Sequence, residues 1–78
     1  MIFDRFPTRD HASAFARHVA ATYDLNVRVF DSAREAAEAD YFPFELTAPV
    51  VLVDRSDELE ERPIEESVLA YGGTFAGT

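Results

Sequence analysis

Pro49 is followed by Val50-Val51-Leu52-Val53, four consecutive apolar residues of which three are β-branched. A strand with one wet face alternates apolar and polar residues; an unbroken apolar run of this length marks a strand buried on both faces. The run therefore predicts the central strand of a sheet, and the rest of the chain must supply its neighbours.

Residues 1–6, with Ile2, Phe3 and Phe6, read as a first strand ended by Pro7. Thr8 is a good N-cap, and Asp10 lies where a helix dipole favours an anion. From Arg9 to Tyr23 the residues Ala12, Phe15, Ala16, Val19, Ala20 and Tyr23 recur on one helical face. Leu25 to Phe30 then alternates: Leu25, Val27 and Val29 point one way, Asn26, Arg28 and Phe30 the other. Ser32 with Glu35 three residues later is a capping-box signature, opening a short alanine-faced helix to about Asp40. After the central run, Pro63 opens a last helix with Ile64, Val68 and Tyr71 as its stripe and Leu69 beside it, ended by Gly72-Gly73. Thr74-Phe75-Ala76 reads as a short edge strand or a frayed tail.

With no repeat and no linker, residues 1–78 form a single domain of the α/β (α+β) two-layer class: a three- or four-stranded sheet, two main helices and one short helix. Two architectures fit. One is a three-stranded sheet carrying helices. The other is a ferredoxin-like split βαβ pair with the short helix and an aromatic loop inserted between its second and third strands. The orientation of the third strand is open.

A chain of 78 residues without cysteine has no disulfide or thiolate–metal site to staple it. Its ten aromatic residues and 47% apolar share supply a real core despite a net charge of −8. All seven basic residues are arginine. The charge is uneven: residues 1–30 hold three acids and four arginines, residues 31–78 twelve acids and three arginines. Such a field repels phosphate backbones, so direct nucleic-acid binding is not expected, whereas a basic protein partner is favoured. The apolar runs are too short to cross a bilayer and no basic-then-apolar leader opens the sequence; the expectation is a cytoplasmic protein with no membrane partner.

Candidate sites are few. His11 and His18 are seven apart, about 10 Å along a helix, too far to share one metal ion. Between Asp54 and Glu66, seven of thirteen residues are carboxylates. Counted as a calcium loop from Asp54, the run has Leu59 where the sharp turn needs glycine, and Pro63 falls inside it. Two readings of the run remain: a solvated loop whose last glutamates stabilise a helix start, or a surface for charge-based recognition through Asp57, Glu58, Glu60 and Glu61. Tyr41, Phe42 and Phe44, around Pro43, either close the small core or anchor a partner. No serine sits in a nucleophile motif, Gly72-Gly73 precedes no helix, and no cofactor motif is present, so the expectation is a non-enzyme without cofactor or metal.

The segments Asp40-Tyr41-Phe42-Pro43-Phe44-Glu45-Leu46, Ala48-Pro49-Val50-Val51 and Tyr71-Gly72-Gly73-Thr74-Phe75-Ala76-Gly77-Thr78 resemble short hypothetical proteins carried by phages of actinobacteria, and the arginine- and alanine-rich composition agrees with a GC-rich genome. The resemblance implies a small phage protein acting in the bacterial host cytoplasm by binding a host component. It carries over no functional residue. The functional expectation is thus a non-enzymatic acidic interaction module, a phage-encoded modulator of a host protein. The alternatives are a self-assembling protein that dimerises through an edge strand or the aromatic loop, and a small enzyme or ligand-binding domain.

Overall fold

A computed structural model describes residues 1–39, 45–54 and 60–77. The elements run β1 (Ile2–Asp4), α1 (Arg9–Tyr23), β2 (Val27–Phe30), α2 (Ala33–Ala39), β3 (Val50–Val53), α3 (Arg62–Ser67), a 3₁₀ turn (Val68–Tyr71) and β4 (Thr74–Gly77). The sheet order is β2-β3-β1-β4 and every neighbouring pair is antiparallel. β3 is inserted between the parallel pair β1 and β2, and β1 between the parallel pair β3 and β4. That is the ferredoxin-like arrangement of two interlocked split βαβ units, with α2 inserted between β2 and β3. The Thr74 segment is a true strand, and the sheet has four strands.

All four residues of β3 are buried, as its unbroken apolar run predicts. Val51 and Val53 point to the face carrying α1, α3 and the 3₁₀ turn, where Phe3, Phe15, Val19, Ile64 and Val68 form the main core. Val50 and Leu52 point to the opposite face, where Ile2, Ala36 and Leu46 form a second, smaller cluster. α2 thus adds partial cover behind the main two layers. Its alanines allow close approach but bury little area.

α1 spans the residues that the helical stripe predicts. Thr8 caps it: its Oγ1 accepts the backbone N–H of His11 at 3.3 Å. Ala12, Phe15, Ala16 and Val19 are buried, whereas Ala20 is exposed and Tyr23 half-buried, so the buried stripe is narrower than the sequence pattern.

Three boundaries also differ from expectation. β1 ends at Asp4 because Arg5 takes a left-handed backbone, φ 60°, and Phe6 reaches the core from the turn that follows. Leu25 precedes β2 but still packs on the main core. The last helix begins at Arg62 and tightens into the 3₁₀ turn at Val68, which leaves Leu69 73% exposed.

Candidate functional site

The first surface to consider in an open-faced sheet is the sheet itself, which in some split βαβ folds stacks bases on exposed aromatics. Here α1, α3 and the 3₁₀ turn cover one face, and the other is partly covered. On the face opposite α1, α2 lies on β2 and β3, and the stretch entering β3 crosses near the end of β1. It is pinned twice at one residue: Thr47 donates its N–H to Asp4 Oδ2 at 2.9 Å, and its carbonyl accepts the Arg5 N–H at 2.9 Å. Asp4, Ile2 and Leu52 are buried beneath this cover. Functional surface must lie on the helices, the loops or the two sheet edges.

The carboxylates form the second surface. Of the four acidic candidates, Asp57 and Glu58 lie outside the described residues. Glu60 is exposed and Glu61 half-buried, and both stand directly before α3, with Glu65 and Glu66 in and after its first turn. The Glu61 carbonyl accepts the Glu65 N–H at 2.9 Å, so this glutamate starts the helix ladder. Carboxylates here complement the positive end of the helix. Arg9 pairs with Asp31 at 3.4 Å and Arg34 with Glu38 at 3.2 Å, and neither pair involves Glu60, Glu65 or Glu66. The aromatic candidates Tyr41, Phe42 and Phe44 also lie outside the described residues.

A third feature was not legible in the sequence. The first turns of α1 and the end of the 3₁₀ turn border an open recess of about 230 Å³ lined by Asp10, His11, Ala14, Ala70 and Tyr71. His11 is committed locally, its Nδ1 2.7 Å from Thr8 Oγ1. His18, two turns on, lies against Tyr71, ring centroids 5.6 Å apart, and edge-on to Tyr23 at 6.3 Å. The two histidines therefore serve the cap and the aromatic seam between α1 and the 3₁₀ turn. Only the pairing of His11 and Tyr71 across sixty residues makes the recess, and no local pattern announces it. Among the described residues no group of three histidine, aspartate or glutamate side chains is placed to hold a metal ion. No helix among them is long and apolar enough to cross a membrane.

The edges differ from each other. β4 meets β1 with a register shift between Ile2 and Phe3, a bulge-like irregularity, and Gly77 at φ 150°. β2 meets β3 in four consecutive regular pairs. No protein-family model, no curated protein and no solved structure matches the chain.

Proposed function

We propose that the chain is a non-enzymatic protein-interaction module that offers a carboxylate surface to a basic partner. The observation that supports it best is the set of carboxylates Glu60, Glu65 and Glu66 around the start of α3, none engaged in an ion pair, in a chain of net charge −8. Such a patch raises the local concentration of a basic partner and speeds its docking. The open recess at Asp10 and His11 offers little shelter, whereas acid–base catalysis needs a shielded pocket that separates the pKa values of its groups. The resemblance to phage proteins makes a host protein of the bacterial cytoplasm the natural partner, with Asp57, Glu58, Glu60 and Glu61 as contacts and Tyr41, Phe42 and Phe44 as apolar anchors.

The test is retention of a host protein on the immobilised chain, compared with the Glu60→Lys/Glu61→Lys variant. The reading expects the partner to be released by the double reversal and by rising salt. Binding that survives both would overturn it.

A further inference from the structure

The geometry points to a second interaction surface, the outer edge of β2, and to its occupant: a second copy of the same chain, paired antiparallel with Val29 opposite Val29. Which backbone groups face outward follows from the ladder. Val53 exchanges hydrogen bonds with Met1, N–H to Met1 carbonyl at 2.9 Å and Met1 amine to Val53 carbonyl at 2.8 Å. Bonding alternates along an antiparallel strand, so Val53 and Val51 serve β1 while Leu52 and Val50 serve β2. Their partners in the register are Arg28 and Phe30. The bond from Asp54 N–H to the Asn26 carbonyl, 3.0 Å, fits the same alternation. The N–H and C=O groups of Val27 and Val29 are left pointing out of the sheet, and no described residue bonds them.

Edges of this kind are usually blunted by bulges, prolines or overhanging cover. β4 has its irregular register; β2 is short and carries Arg28, but it has no bulge and no proline, and no described residue overhangs it. Arg9, Ser13, Ala16 and Ala20 form one row of α1, and the Arg9–Asp31 ion pair turns that row toward the β2 side. Beyond Arg9 the row is small side chains, which leave the edge open. Val27, Val29 and Phe30 are each half-exposed, so pairing would bury apolar surface as well as backbone. The edge also lies in the least acidic part of the chain, residues 1–30 with three acids and four arginines, and across the sheet from β4.

Self-complementarity fixes the register. A two-fold axis perpendicular to the sheet keeps each face on its own side, so opposite residues must share a face. Centring on Arg28 sets two guanidiniums opposite each other at the close, non-hydrogen-bonded spacing, which is disfavoured. Centring on Val27 brings Arg28 opposite Asn26 and leaves Phe30 opposite Asp24, whose left-handed backbone, φ 55°, takes it out of the strand, so the ring gains no partner. Centring on Val29 brings Arg28 opposite Phe30 of the second copy. The guanidinium already lies 5.8 Å from the Phe30 ring centroid within one chain, so each arginine would face two rings.

The chain has no cysteine, so single cysteines report the pairing cleanly. In sedimentation equilibrium at high salt, the unmodified chain should show a concentration-dependent dimer. Val29→Cys should be joined to itself by a short thiol–thiol cross-linker, since the directly paired Cα atoms lie about 5.5 Å apart at the hydrogen-bonded spacing. A mixture of Arg28→Cys and Phe30→Cys should cross-link to each other. Phe30→Arg sets arginine opposite Arg28 and should weaken dimerisation about tenfold or more, with Arg28→Glu restoring it in the double variant. A monomer at every concentration, or cross-linking of Arg28→Cys to itself in preference to Val29→Cys, would overturn the proposal. Neither result bears on the carboxylate surface, which lies on another element and is tested by partner release.

Discussion

Asp4 and Thr47 are 43 residues apart, yet the Asp4 carboxylate accepts the Thr47 N–H at 2.9 Å. Asp4 is the one charged residue buried in the core among those described, 3% exposed. Its position in β1 sends its side chain to the face opposite α1, where the stretch entering β3 arrives with backbone groups to satisfy. The bond therefore ties the second split unit to the first. Asp4→Ala should destabilise the fold by about 1–3 kcal/mol, because a partly buried N–H loses a charged acceptor. Asp4→Asn keeps a carbonyl oxygen at the same place and should lose less. Urea unfolding of the three proteins orders them; equal midpoints for Asp4→Ala and the parent chain would contradict the role.

Gly73 carries a second long-range constraint. A Cβ built there would stand 2.4 Å from Phe6 Cε1. Phe6 has no room to yield, since its ring is buried and packs on Phe15, centroids 5.6 Å apart. Gly73→Ala should cost about 1–3 kcal/mol through overpacking. Pairing it with Phe6→Leu, which removes the ring atoms that clash, should make the two effects markedly less than additive in a double-mutant cycle.

The cap of α1 gives a smaller, separable effect. Thr8 Oγ1 meets both the His11 N–H at 3.3 Å and His11 Nδ1 at 2.7 Å. Thr8→Ala should cost about 1 kcal/mol, and Thr8→Ser should retain most of the stability. His11→Ala leaves the backbone bond in place and should cost less than Thr8→Ala. The reverse order in thermal melts would assign the stabilisation to the imidazole instead.

These constraints show what a sequence of this kind reveals. α1 was legible because its stripe and its cap agree locally, and β3 because an unbroken β-branched run has few other homes. The extent of β1 was not: Phe6 looks like another strand residue, and only the left-handed Arg5 sends it inward by a turn. The direction of β3 depends on the stretch pinned at Asp4 and Thr47, a tertiary contact with no local signature. The face that α2 covers is equally hidden, because three alanines fit either side of a sheet. Of the candidate contacts, Glu60 and Glu61 resolve as the approach to α3, whereas Asp57, Glu58, Tyr41, Phe42 and Phe44 lie outside the described residues. The β2 edge was invisible because it is a property of backbone groups left over after pairing.

The carboxylate excess makes one prediction for the folded chain itself. A net charge of −8 on 78 residues repels itself more strongly when compact than when unfolded. The ion pairs Arg9–Asp31 and Arg34–Glu38 are both substantially exposed, so they offset little of the repulsion. Salt shortens the screening length from about 10 Å at 0.1 M to about 3 Å at 1 M. The melting temperature should therefore climb with potassium chloride, most steeply at low concentration, where screening changes fastest across the molecule. Glu66→Gln, beyond the first turn of α3, should raise the low-salt melting temperature and flatten the slope. An uncharged osmolyte at matched osmolality separates screening from general solvent exclusion. If the osmolyte reproduces the whole effect, or the neutralised variant keeps the parent's slope, repulsion among these carboxylates is not what limits stability.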